Sequence, residues 1–118
     1  MLMNDFYRIS QVTSGDDSIE GTIHFNATHP IFQGHFPGHP VVPGVCTMQL
    51  VKEIMEWQRK QSIQLVDAPQ VKFLQLITPE MTPQFFIKWT ESGNNLSVQA
   101  SLRTEKDIFK ISGNYCCG

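Results

Sequence analysis

The spacing of apolar and polar residues changes character several times along this chain. From Phe6 to Val12 it alternates loosely, with Phe6, Arg8 and Ser10 on one side and Tyr7, Ile9 and Gln11 on the other, as in a short strand. Ser14-Gly15-Asp16-Asp17 is turn chemistry. Ser18 to Asn26 then alternates again with Ile19, Gly21, Ile23 and Phe25 on one face, so the two runs predict a hairpin. From Pro43 or Gly44 to about Lys60 the period becomes helical: Val45, Met48, Leu50, Val51, Ile54, Met55 and Trp57 form a broad apolar arc opposite Gln49, Lys52, Glu53, Glu56 and Lys60. An arc this wide predicts a helix largely wrapped by other structure.

Four strand-like segments follow, Gln70 to Ile77, Gln84 to Thr90, Leu96 to Arg103 and Asp107 to Tyr115, with short polar or proline-containing separators. Short connections favour antiparallel neighbours. The predicted order is β-β-loop-α-β-β-β-β, an α+β layout of one sheet and one long helix.

Thr28 to Gly44 interrupts this pattern. It holds four prolines (Pro30, Pro37, Pro40, Pro43) and three glycines (Gly34, Gly38, Gly44), and helix is therefore excluded there. A loop this long and stiff in a small domain is more often functional than a passive link.

Size and charge narrow the class. A chain of 118 residues fits one domain spanning 1–118. The formal net charge of -2 gives no basic field for nucleic acid, although Arg59, Lys60, Lys72 and Lys88 leave room for a local basic patch. No signal peptide is evident after Met1 and no apolar run approaches the ~20 residues that span a bilayer. Cys46, Cys116 and Cys117 do not suggest a disulfide framework; reduced thiols and a cytoplasmic location are expected.

The segment Gly34-His35-Phe36-Pro37-Gly38-His39-Pro40-Val41-Val42-Pro43-Gly44 resembles the G-H-F-P-G-x-P-x-x-P-G loop of the β-hydroxyacyl-acyl-carrier-protein dehydratases. Val71-Lys72-Phe73 through Pro79 also resembles that family's third strand. The resemblance implies a hot-dog fold, an antiparallel sheet wrapped around one long central helix, with two subunits pairing to complete two active sites. It implies a lyase acting on a 3-hydroxyacyl thioester in fatty acid or specialised lipid or polyene biosynthesis. The partner would be acyl carrier protein or a coenzyme A thioester, in a homodimer or a heterodimer with a homologue, with neither nucleic acid nor a membrane span. A hot-dog thioesterase and a non-catalytic carrier-binding subunit are the alternatives.

The residues themselves suit that chemistry. Elimination of water needs a base at the α-carbon, an acid at the leaving hydroxyl and a donor for the enolate oxygen. His35, on a proline-stiffened segment, is the candidate base. The Gly44 and Val45 amides at the expected helix start are candidate donors, and Phe36, Pro37, Gly38 and Val45 are expected to meet the substrate. No cofactor is implied. A metal on His29, His35 and His39 is not expected, since the prolines set their directions and no carboxylate lies between His35 and His39. His24 is expected to face solvent and Cys46 to be a small buried helix residue.

One position departs from the family. Fourteen residues beyond the histidine the family carries Asp or Glu, and here stands Gln49. The family's helix often reads carboxylate-x-x-x-Gln, whereas this one reads Gln49-Leu50-Val51-Lys52-Glu53, with the two groups exchanged one turn apart. Glu53 either belongs to the charged stripe with Lys52, Glu56 and Lys60 or reaches back about one ~5.4 Å turn to supply the acid.

Overall fold

The computed structural model describes residues 2–34 and 38–117. Its element order is β1 (Tyr7–Ser14), β2 (Ser18–Phe25), α1 (Pro30–Gly34), α2 (Gly44–Arg59), β3 (Ile63–Phe73), β4 (Gln84–Ser92), β5 (Asn95–Arg103) and β6 (Asp107–Cys117). The six strands form one sheet in the order β1-β2-β4-β5-β6-β3, and every pairing is antiparallel.

Alternation along the strands builds the core. Phe85, Ile87 and Trp89 on β4, Leu96, Val98, Ala100 and Leu102 on β5, and Phe109, Ile111 and Tyr115 on β6 all point inward. They share a single buried cluster with Leu50, Val51, Ile54 and Met55 of α2. Burial of these side chains is the main stabilising term, at roughly 1.5–3 kcal/mol for each large one. Val45 (75% exposed) and Trp57 (47% exposed) stand outside that core. Both lie in the terminal turns of α2, so the predicted apolar arc is wrapped along its middle and open at its ends. Lys60 closes the helix in a left-handed conformation, its N–H donating to the Glu56 carbonyl.

Two elements differ from the sequence expectation. The proline-rich loop contains a short helix, α1, beginning at Pro30. Proline is tolerated at a first helical position because its absent N–H has no partner to lose there, and no further proline occurs before Pro37. His29 supports this start: its Nδ1 accepts the Ile31 N–H at 3.1 Å. The third strand runs from Ile63 to Phe73 rather than from Gln70 to Ile77. Asp67 and Pro69 weaken its strand pattern, but β3 is at the sheet's edge, where proline and bulges are accommodated. Its pairing with β6 shifts between Leu65 and Asp67 and between Asp67 and Gln70. Past Phe73 the Leu74 and Gln75 N–H groups still donate to the Ile108 carbonyl of β6, at 2.9 and 3.3 Å, and the Ile77 carbonyl accepts the Val42 N–H at 2.7 Å. The chain thereby brings this apolar stretch against the segment that leads into α2.

Two glycines are explained by their surroundings. Gly93, with φ +61, opens the two-residue β4–β5 turn, where a side chain would strain the backbone. At Gly21 an added Cβ would lie 2.8 Å from the Phe85 ring and 2.9 Å from the Ser10 carbonyl oxygen. The ring is in the core and the carbonyl is in the neighbouring strand, so neither yields easily. Gly21→Ala is therefore expected to cost about 1–3 kcal/mol of stability, measured by chemical denaturation; an unchanged midpoint would contradict this account of the β1–β2–β4 contact.

Candidate functional site

The candidate site is centred on the start of α2. Pro43 precedes the helix in an extended conformation (ψ 142), and the Pro43 carbonyl accepts the N–H groups of Cys46 at 2.9 Å and Thr47 at 3.1 Å. The amides of Gly44 and Val45 come before that first intrahelical bond. Among the described residues no hydrogen bond engages them, and they stand at the positive end of a 16-residue helix.

Beside Gly44 opens a groove of about 470 Å³ lined by Val42, Thr47, Phe73, Leu74, Leu76 and Ile77 among others. The Phe73 ring packs directly on Gly44: a Cβ there would lie 3.1 Å from the ring's Cζ. The groove therefore runs an apolar trough up to Gly44 at the start of α2, the pattern of a small-molecule site. A larger hollow, of about 560 Å³, lies over Glu20, Gln84, Phe86 and Arg103 on exposed strand faces. Its mixed charges and its distance in the fold from the Gly44 donors give it no evident chemistry.

His35, Phe36 and Pro37 lie outside the described residues. Of the remaining candidates, Gly38 has φ +78, a conformation that suits glycine. Gly44 and Val45 are at the helix start, and Gln49 lies one to two turns further along α2. Gln49 is half-buried, and its Nε2 donates to Glu53 Oε2 at 2.9 Å.

Glu53 is not part of a solvated charged stripe. It is fully buried. Its Oε1 accepts the backbone N–H of Met3 at 2.8 Å and the Tyr7 hydroxyl at 3.1 Å, while Leu2 N–H is shared between Oε1 at 3.0 Å and Oε2 at 2.9 Å. Burial pushes the Glu53 carboxyl up, but hydrogen bonds from Leu2, Gln49, Met3 and Tyr7 outweigh it, and the net shift is downward. The same pair pushes the Tyr7 phenol well above its usual value, by burial first and by the Glu53 charge second. The Cys46 thiol is raised too, by burial and then by Glu53, so this buried residue lacks the character of a reactive thiolate.

Sequence reasoning missed Leu2, Met3 and Tyr7 as partners of this carboxylate. One signal was available: Leu50, Glu53, Ile54 and Trp57 follow helical spacing, which sets Glu53 on the flank of the apolar face. Nothing in the sequence indicated that the partners would come from some fifty residues upstream.

The other histidines have local roles. His29 Nδ1 accepts from an amide, so its proton is on Nε2, which faces Asp5 Oδ2 at 3.2 Å. The His29 ring also meets Phe6 edge-on at 5.2 Å. His24, half-buried rather than free in solvent, pairs with Ser10 Oγ at 2.7 Å. Arg59 is taken out of any basic patch: it forms an ion pair with Glu91 and lies over the Trp89 ring, 5.9 Å from its centroid. Among the described residues no helix is long and apolar enough to cross a membrane.

This architecture is shared with solved hot-dog proteins. The dehydratase heterocomplex ApeI:P from Xenorhabdus doucetiae superposes with a TM-score of 0.74 at 21% identity, covering 92% of this chain and 94% of that one. A hypothetical thioesterase with coenzyme A from Streptococcus pneumoniae gives 0.64 at 10% identity, over 98% and 90% of the two chains. These likenesses establish a hot-dog fold. Residues 11–113 match the ApeI-like family, described as ApeI dehydratase, and the chain belongs to that family. It is also similar to 3-hydroxyacyl-(acyl-carrier-protein) dehydratase FabZ of Pelotomaculum thermopropionicum, 40% identical over 47 residues, which are 40% of this chain and 33% of that protein. The FabZ of Aliarcobacter butzleri is 50% identical over 32 residues, 27% and 22% of the two chains. The matches span about a third or less of those curated relatives.

The Glu53 network predicts an acid-sensitive fold. A carboxyl whose folded pKa is depressed stabilises the protein above its unfolded value, here near 4.5, and loses that contribution as pH falls through the folded value. Denaturant midpoints should therefore fall as pH drops below about 4.5, and Glu53→Gln should flatten that fall. A Glu53→Gln variant with the same acid profile as wild type would remove Glu53 as its source.

Proposed function

We propose that the chain is a dehydratase of 3-hydroxyacyl thioesters carried by acyl carrier protein, acting in fatty acid or specialised lipid synthesis. The observation that carries this reading is the apolar groove that reaches Gly44 at the start of α2, directly after the Gly34–Gly44 loop. The acyl chain lies in the groove, and the thioester carbonyl meets the amides. As a proton leaves C2, negative charge builds on the carbonyl oxygen, where backbone donors and the helix dipole stabilise it.

His35 takes the C2 proton. The C3–O bond then breaks, the C2=C3 double bond forms, and the imidazolium returns its proton to the departing hydroxyl as water. Gln49 orients that hydroxyl through its amide and leaves both proton transfers to His35. In this reading Glu53 is not the acid, because its oxygens are occupied by four donor groups in a buried setting.

Purified protein offered 3-hydroxyacyl- and trans-2-enoyl-thioesters on carrier protein should interconvert them. His35→Ala should lower the rate by at least ~10²-fold, the usual scale for removing a general base. Release of free acid would identify a thioesterase instead, and binding without either product would identify a non-catalytic subunit.

We also propose that a second copy of this chain packs along β3. Among the described residues β6 is the one strand paired with β3, so its other side is a sheet edge. Apolar side chains cluster there and just beyond: Val66 is 62% exposed, Phe73 54% and Leu76 69%. A homologue is the alternative occupant; the similar structure from Xenorhabdus doucetiae is a dehydratase heterocomplex, ApeI:P. Sedimentation should give a dimer for the wild type and a monomer for Val66→Lys combined with Leu76→Glu. A monomeric wild type would refute self-pairing.

A further inference from the structure

Within the dehydratase reading of this site, we propose that Glu53 is a positioning residue that fixes the amide of Gln49 in one orientation, with Oε1 presented as an acceptor and Nε2 turned back into the fold. Gln49 and Glu53 are one turn apart on α2 and are joined by the 2.9 Å bond from Nε2 to Oε2.

The direction of that bond follows from the rest of the network. The backbone N–H groups of Leu2 and Met3 can only donate, so the oxygens they meet must accept. The Tyr7 hydroxyl adds a third donor at 3.1 Å. A carboxylate surrounded in this way presents lone pairs to Gln49, and only the NH₂ end of the glutamine amide satisfies them. Reversing the amide would set two oxygens against each other in a buried site, leaving the carboxylate short of a donor. With Nε2 engaged, Oε1 occupies the opposite end of the planar amide, and no hydrogen bond holds it among the described residues.

An oriented carbonyl oxygen has a defined use. It accepts the hydroxyl proton of the substrate in a hydrogen bond, which sets the C3–O bond's direction without itself exchanging a proton. The groups facing the pair come from three elements: the 2–6 segment through the Leu2 and Met3 amides, β1 through Tyr7, and α2 through Gln49 itself. Among the described residues none of them supplies a positive charge. The device is thus a buried anion held by neutral donors, with an amide as its outward end.

The same N-terminal segment also reaches α1, the helix that ends at Gly34 just before His35. Phe6 stacks on Phe32 of α1 at 5.0 Å, and Asp5 meets His29. Residues 2–6 therefore tie the start of the catalytic loop to the pair on α2.

Two kinds of measurement test the proposal. In ¹⁵N–¹H spectra, the side-chain NH₂ pair of Gln49, assigned by its loss in Gln49→Glu, should be displaced from the random-coil position and slow to exchange. Glu53→Gln should return it toward that position. The variant has a second amide at position 53, so Gln49 gains a partner for either orientation. Its kcat should fall about tenfold at unchanged KM, while circular dichroism shows a folded chain.

The double variant Gln49→Glu with Glu53→Gln restores a one-way bond, now from the amide at 53 to a carboxylate at 49. It should recover kcat above the Glu53→Gln level and add an acidic limb to the pH–rate profile. Unchanged kcat, KM and pH profile in Glu53→Gln would overturn the positioning role, even with a shifted Gln49 signal. So would a Gln49 signal in the wild type at its random-coil position. A wild type with the displaced signal that turns over no thioester would sink the dehydratase reading and leave the orientation of Gln49 supported.

Discussion

A buried carboxylate must find donors, and Glu53 finds them in two places at once. It lies at the middle of α2, where apolar neighbours Leu50, Val51, Ile54 and Met55 exclude water. Its partners are the first described residues of the chain and Tyr7 at the start of β1. One side chain thus fastens the central helix to the N-terminal segment, and through Phe6 to α1. Among the described residues no cation pairs with this carboxylate. Its role is specificity of arrangement: a shift of the helix by one residue would strand the charge, whereas a shift among purely apolar contacts would cost far less.

That anchoring explains how so small a domain holds a preorganised site. Among the described residues of the loop from Thr28 to Gly44, α1 is the one regular element before the start of α2. It is tethered at both ends. At the first, His29 caps α1 and meets Asp5 while Phe32 enters the core. At the second, Val42 binds the Ile77 carbonyl and Pro43 leads into α2. Both tethers use side chains or amides from distant segments, so the fold fixes where the two ends of the loop stand.

Much of this was legible in the sequence. The hairpin at Ser14–Asp17, the helix from Gly44 and the last three strands follow directly from period and turn chemistry, because each buries one face and exposes the other. The G-H-F-P-G-x-P-x-x-P-G loop carried the family resemblance, and the Gly44 donors follow from where a proline-led helix starts. Strand β3 was misplaced because an edge strand with bulges breaks the alternation that makes strands visible. The helix α1 was missed because proline density was read as uniform, though only Pro30 falls within it. The environment of Glu53 was hidden for a deeper reason. Its partners are mainly backbone amides, and an amide is present at every residue, so no side-chain pattern can announce which ones will converge.

The exchange of carboxylate and glutamine along α2 then follows as a change of task. A carboxylate at position 49 would serve as a proton donor only if its surroundings kept it protonated near neutral pH. Glu53, with its four donors, works in the opposite sense: it is a fixed negative charge one turn away, and its cost is met only while every donor remains in place. Gln49 is the residue that completes that set while leaving an oxygen for another partner. A glutamine there is therefore consistent with the buried anion beneath it, since it is the neutral side chain that can satisfy Glu53 and still accept a hydroxyl. In the proposed dehydration, proton traffic would be left to the histidine and the geometry of the hydroxyl to the glutamine, with the charge that orients the glutamine kept out of the reaction.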